Sequence, residues 1–349
     1  MRAYPYVTAD VFTSRQFGGN PLAVVLDARG LSDDEMLAVT REFNYAETTF
    51  VLPAERGAAV RVRIFTPGGE VPFAGHPTVG TAHVLFATGA LRADGDEATV
   101  LLEEGVGDVP VRVTLGGGAR AVGVDPLVAR EPAAAELTAA APYAERDAPD
   151  AALLAEALSL DAADLAGGAY APRVASCGLP FTLVPVRDRA AVARARVRAE
   201  AWARAYAGPG WGRGVSEGAM VVAIAQDDAL GAAGGAAHAR VFVPDLAVPE
   251  DPATGSAAAA LGGYLAARAP GGDGTLRWAV TQGVEMGRPS RIEVSADRRA
   301  GAVTAVRVGG RAVVVCAGTL YLRDQRDQRD QRDQRDQRDQ RGGAVPGTP

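Results

Sequence analysis

Few side chains in this sequence can move a proton, and they fall in short strings rich in glycine, proline and threonine. Glu47 stands in Tyr45-Ala46-Glu47-Thr48-Thr49-Phe50-Val51, where a helix gives way to a strand and apolar residues flank it. A half-buried carboxylate in such a place has its pKa raised towards neutrality, which suits a general acid/base. The plainer alternative is a solvated glutamate at a helix end. His76, in Phe73-Ala74-Gly75-His76-Pro77-Thr78, can hydrogen-bond a substrate carbonyl or hydroxyl, or simply occupy a turn beside proline. Asp251, in Glu250-Asp251-Pro252-Ala253-Thr254-Gly255-Ser256, is either a second acid or a helix N-cap.

Composition narrows the chemistry further. The 349 residues include no lysine, so all 36 of the Lys+Arg total are arginine. That removes a pyridoxal-phosphate Schiff base, a lysine general base and the Walker-A lysine. The three histidines, His76, His83 and His238, are too scattered for a metal cage. The two cysteines, Cys177 and Cys316, are expected in the core, and neither belongs to a metal-binding pair. The expectation is an enzyme with no cofactor and no metal, working with carboxylates, hydroxyls, one histidine and backbone amides.

The net charge of −6 is spread along the chain, which disfavours a nucleic-acid partner. No apolar stretch is long and continuous enough to span a bilayer, and the start MRAYPYVTADVF has no basic segment followed by an apolar run. No membrane partner and a cytoplasmic location are expected.

Two loop-to-helix junctions must position these groups. Helix starts carry free amide donors and a positive dipole end, and small residues let an anion approach the backbone. Two such starts facing one cleft make a carboxylate site, whereas each alone is equally well an ordinary start with Thr capping. Runs of β-branched residues predict strands at 4–13, 22–27, 48–52, 60–66, 99–103 and 110–115, then at 181–186, 220–225, 239–243, 276–280, 291–294, 303–308 and 312–317. Helices are predicted after the capping box Ser32-Asp33-Asp34-Glu35, and at 148–158, 189–205 and 254–267.

A weak internal repeat supports duplicated halves. Arg63, Phe65, Pro67, Val71 and Pro72 fall on Arg240, Phe242, Pro244, Val248 and Pro249 without a gap. Thr78 and Thr254 then open the two helices after a one-residue shift. Upstream, Gly19-Asn20-Pro21 pairs with Gly178-Leu179-Pro180, and Glu47 with Glu217. The expected division is one domain at 1–117, a second at 118–322 whose last strand returns to the first, and a disordered tail at 323–349. In that tail Arg-Asp-Gln repeats six times with no apolar residue to bury.

The strings Gly19-Asn20-Pro21-Leu22-Ala23-Val24, Ala46-Glu47-Thr48-Thr49-Phe50, Phe73-Ala74-Gly75-His76-Pro77-Thr78, Gly178-Leu179-Pro180-Phe181 and Glu250-Asp251-Pro252-Ala253-Thr254-Gly255-Ser256 resemble, in this order, the phenazine-biosynthesis-F family. The resemblance covers residues 4–320. It implies an α+β fold of two similar diaminopimelate-epimerase-like domains, each a curled, mostly antiparallel sheet around a central helix, with the active site in the cleft between them. It implies an isomerase in which a glutamate shuttles a proton on a small carboxylate of the trans-2,3-dihydro-3-hydroxyanthranilate kind, in specialised metabolism. By this resemblance Glu47 is the shuttle, and His76 and Asp251 orient or polarise the substrate. Gly75, Gly255, Ser256, Asn20 and Gln282 bind it, and the protein is a homodimer.

Epimerases of this fold place a cysteine at each helix start, one base and one acid on opposite faces of the carbon. Here those loops carry Gly75-His76 and Thr254-Gly255, so two-thiol racemisation is disfavoured. Two other readings stay open. Ser256, His76 and Asp251 can form a hydrolytic triad, although no Gly-x-Ser-x-Gly elbow surrounds Ser256. A non-catalytic small-molecule binder on the same fold is the other.

Overall fold

The computed structural model describes residues 1–116, 132–207, 218–224, 235–244 and 249–323. The first half runs β1 (Arg2–Val11), β2 (Asn20–Val25), α1 (Asp33–Phe43), β3 (Glu47–Leu52), β4 (Val60–Thr66), β5 (Gly69–Val71), α2 (Gly75–Ala87), β6 (Glu97–Glu104), β7 (Gly107–Thr114) and β8 (Ala134–Thr138). It continues through β9 (Ala144–Asp147), α3 (Ala151–Ala157), β10 (Arg173–Ser176), β11 (Pro180–Val186), α4 (Arg189–Arg194), α5 (Ala199–Ala205), β12 (Ala219–Ile224) and β13 (Gly235–Phe242). Last come β14 (Glu250–Asp251), α6 (Gly255–Arg268), β15 (Gly274–Gln282), β16 (Ser290–Arg299), β17 (Ala302–Gly310) and β18 (Ala312–Leu322).

Strand pairing shows the duplication more clearly than sequence does. In the first half β1–β2 is antiparallel, β2–β3 parallel, β3–β4 antiparallel, β4–β6 parallel, and β6–β7 and β7–β8 antiparallel. The second half repeats the same steps through β10, β11, β12, β13, β15, β16 and β17. In each half a short strand, β5 or β14, folds back on its predecessor before the central helix begins. Both parallel steps of a half need crossovers, and these are supplied by α1 and α2 in the first and by α4, α5 and α6 in the second. The halves join where β8 pairs with β17. β18 returns to pair with β1, as β9 pairs with β10.

Each sheet curls around its helix. Every residue of α2 is buried, so it has no polar stripe of the kind a surface helix shows. Close packing explains a glycine in each central helix. A Cβ at Gly80 would lie 2.6 Å from Leu22 and Val11, and one at Gly262 would lie 2.3 Å from Val294.

Several expectations change. The first central helix starts at Gly75, not at Thr78, and its start matches Gly255 of α6. The repeat therefore carries its length difference between β13 and β14. Arg63 donates from Nε to Glu70 at 2.7 Å, and Arg240 donates likewise to Glu250 at 2.8 Å, so Glu70 and Glu250 are counterparts. Val248 and Glu217, named in the sequence alignment, lie outside the described residues, as does the tail beyond Arg323 and the predicted seam at 117/118.

The single helix predicted at 189–205 is two, because Arg196 and Arg198 turn their amides onto the carbonyls of Leu158 and Ala157 at the end of α3. Cys177 is buried but Cys316 is exposed on β18, and both thiols are free.

Candidate active site

The site forms where the two central helices begin. A Cβ on Gly75 would sit 3.1 Å from the Cα of Gly255, and one on Gly255 would sit 3.3 Å from the Cα of Gly75. Glycine at both positions is what lets the two helix starts touch. Neither start has a side-chain cap: Ala74 has no polar atom to offer, and the Thr254 hydroxyl donates to Asp251 Oδ2 at 2.5 Å instead. The capping alternatives for Asp251 and Thr254 are thereby corrected. First-turn amides of both helices are left without a side-chain acceptor.

Glu47 opens β3 because α1 ends just before it. The Ser32–Glu35 capping box forms at the start of α1, and Asn44 ends the helix in the left-handed region at φ 54°. The chain then turns into β3, whose first residue pairs with Leu22 of β2. The Glu47 side chain retains 19% exposure, yet its Oε2 is buried without a hydrogen-bond partner and lies 3.5 Å from Nε2 of His76. Burial raises the Glu47 pKa well above the usual carboxylate range, and the neighbouring Asp251 charge adds to this.

His76 is buried in the first turn of α2. Burial lowers its pKa to about 3, only partly opposed by the Pro21 carbonyl, so the imidazole is neutral at physiological pH. Its Nε2 has no hydrogen-bond partner.

Asn20, at the start of β2, links the halves. Its Nδ2 donates to Asp251 Oδ1 at 2.8 Å and to the Ala253 carbonyl at 3.0 Å, and lies 3.3 Å from His76 Nδ1. An amide nitrogen has two hydrogens, so the first two bonds use it fully. Asp251 ends β14, where burial raises its pKa while Thr254 and Asn20 pull it back. Gln282, the last residue of β15, accepts from the Thr254 amide at 3.1 Å and donates to the Asp251 carbonyl at 2.7 Å. Arg288 braces the same corner, bonding Asp10 at 2.5 Å and the carbonyls of Gly18 and Gly19 just before Asn20.

Asn20, Glu47, His76, Asp251 and Gln282 thus form one polar group. Gly75, Gly255 and Ser256 instead line a small, largely apolar cavity with Phe73, Leu137, Cys177, Leu179 and Val308, among others. Among the described residues Ser256 hydrogen-bonds neither His76 nor Asp251: Asp251 accepts from Asn20 and Thr254, and His76 lies against Asn20, the Pro21 carbonyl and Glu47. The geometry of a hydrolytic triad is therefore missing. Thr254, which in sequence reads as a helix cap, joins the site through its bond to Asp251. Among the described residues no group of three or more His, Cys, Asp or Glu side chains is arranged to hold a metal.

Two curled sheets, each around a central helix, are the fold shared with solved structures of the PhzF and diaminopimelate-epimerase-like kind. Residues 9–318 match the family model described as phenazine biosynthesis-like protein. The chain belongs to that family and is an isomerase. It is 36% identical to a protein named as an uncharacterised isomerase of Mesorhizobium japonicum, over 92% of this chain and 100% of the relative. It is 32% identical to the trans-2,3-dihydro-3-hydroxyanthranilate isomerase of Pseudomonas aeruginosa, over 91% of this chain and 99% of that enzyme. The crystal structure of a PhzF-family phenazine biosynthesis protein from Bacillus anthracis superposes with a TM-score of 0.75 at 24% identity, covering 92% of this chain and 100% of that one.

Proposed function

We propose that this isomerase shifts a proton between carbon atoms of a small carboxylate of the trans-2,3-dihydro-3-hydroxyanthranilate kind, with Glu47 as the sole proton carrier. The observation that carries the reading is the Glu47–His76 contact: two buried atoms 3.5 Å apart, each without a hydrogen-bond partner, beside two uncapped helix starts. Ionised Glu47 removes a proton from carbon and becomes neutral. The electron pair left behind moves through the adjacent double bond, and Glu47 returns the proton to the carbon at its far end. No atom is gained or lost.

Amides at the starts of α2 and α6, with Ser256, hold the substrate carboxylate and stabilise charge that builds during the transfer. Neutral His76 and Asp251 orient the reacting part, and Asn20 and Gln282 hold Asp251. A homodimer in the cytoplasm completes the reading, which the absence of any described helix long and apolar enough to cross a membrane leaves open. We place the seam between the two domains after β8, because β8 completes the first set of seven paired strands as β17 completes the second.

The test is conversion of trans-2,3-dihydro-3-hydroxyanthranilate in heavy water by the wild type and by Glu47→Gln. Turnover with deuterium entering the product is expected of the wild type alone. Equal turnover by the variant would refute Glu47 as the carrier.

A further inference from the structure

Glu104, the last residue of β6, lies at the start of α2 and has no part in the proposed reaction. It is 4% exposed, its Oε1 is 2.7 Å from Thr78 Oγ1, and its Oε2 is buried with no partner. Thr78 Oγ1 is also 2.8 Å from the carbonyl of Ala74, the residue immediately before α2. A threonine hydroxyl has one hydrogen to give. Both short contacts are hydrogen bonds at once only when Thr78 donates to Ala74 and Glu104, carrying a proton, donates to Thr78.

The second half has an amide at the matching place. Gln282 ends β15 as Glu104 ends β6, and each precedes a glycine packed on a proline of the loop before the helix. A Cβ on Gly105 would lie 2.7 Å from Pro72, and one on Gly283 would lie 2.5 Å from Pro252. Gln282 Nε2 donates to Thr254 Oγ1 at 3.0 Å, and that hydroxyl donates onward to Asp251. Donor, hydroxyl and acceptor follow one another in the first half as in the second when Glu104 is a neutral acid.

We propose that Glu104 is a positioning residue, held as a neutral acid, whose proton passes order through Thr78 to Ala74 and so fixes the start of α2 that carries Gly75 and His76. That start is packed so closely on α6 that a side chain at Gly75 would have no room against Gly255. The surrounding charges do not favour ionisation. Glu103 turns its carboxylate to the amides of Glu55 and Arg56, and Arg56 pairs with Glu103 and Asp108 while reaching only the backbone carbonyl of Glu104. From α2 the facing group is Thr78. Among the described residues no cation lies within ion-pair distance of the Glu104 carboxyl, and burial lifts its pKa to about 8.

This inference rests on the proposed function only for the importance of His76, and its test uses no substrate, so the two can fail separately. Because the carboxyl keeps its proton in the folded state and loses it readily in the unfolded state, the Glu104 contribution to wild-type stability falls as pH rises from about 5 to about 8. Glu104→Gln cannot ionise. Its melting temperature minus that of the wild type should therefore widen steadily over that range. A constant or shrinking difference would mean that Glu104 is already ionised, and would overturn the proposal. For positioning, the imidazole nitrogen resonances of His76, one of three histidines in the chain, should stay in place in Glu104→Gln and move in Glu104→Leu. Resonances unmoved in folded Glu104→Leu would overturn the positioning role.

Discussion

The starts of α2 and α6 occupy equivalent places in two halves with the same strand order, yet they are chemically unlike. Around α2 stand a neutral buried histidine, a glutamate with a raised pKa, and an asparagine that crosses to Asp251. Around α6, the residue matching Asn20 is Leu179, which lines an apolar cavity with Cys177 and Val308, and the residue matching His76 is Ser256. The two ends are thus unlike: Glu47 and His76 meet beside the start of α2, whereas the carboxyl before α6, Asp251, is held by Asn20 and Thr254. An enzyme that inverts a carbon needs acid and base on opposite faces. Under the proposed function, this one takes and returns its proton on a single face through Glu47.

Replacing the proton carrier should break that asymmetry most severely. Glu47→Gln is expected to lower kcat about a thousandfold, within the usual range for loss of a general acid/base, in a steady-state assay. Next comes the contact between the two ends. Gly75→Ala forces a methyl to within 3.1 Å of Gly255, and overpacking of this kind costs roughly 1–3 kcal/mol, readable as a lower denaturant midpoint.

Asp251→Asn sharpens the comparison through pH. The Asp251 charge helps hold the Glu47 pKa up, so removing it lets Glu47 ionise at lower pH, and the acid limb of kcat/KM should move down. An unmoved limb would separate Asp251 from the carrier. The smallest effect is expected at the α6 end. Ser256→Ala removes one hydrogen bond worth about 1 kcal/mol, which should raise KM about fivefold with kcat little changed.

Much of this arrangement is legible in the sequence because it is local. The β-branched runs mark strands such as β4, and Ser32-Asp33-Asp34-Glu35 marks the start of α1, because neighbours along the chain determine both. The string around Glu47 shows its apolar flanks directly. What is hidden depends on partners far away in sequence. Asn20 is assigned to the substrate by the resemblance, and its reach to Asp251 shows only in the fold; Thr254 reads as a cap until its hydroxyl is seen on that same carboxyl. α2 begins at an Ala-Gly pair with no capping side chain, so its start reads three residues late. The break between α4 and α5 comes from bonds to the end of α3, which no local pattern announces. Glu104 follows Glu103 in a strand, where alternation predicts one of the two exposed, and both are buried.

The most direct test of a single proton-exchanging side is stereochemical. Isomerisation is run in heavy water with substrate labelled at the carbon that loses its proton, and the product is analysed by NMR for the face that receives hydrogen. The structure predicts delivery to the face from which the proton left, with part of the substrate's own label carried across. Delivery to the opposite face would contradict the account, because a second acid, such as Asp251 just before α6, would then have to supply the proton.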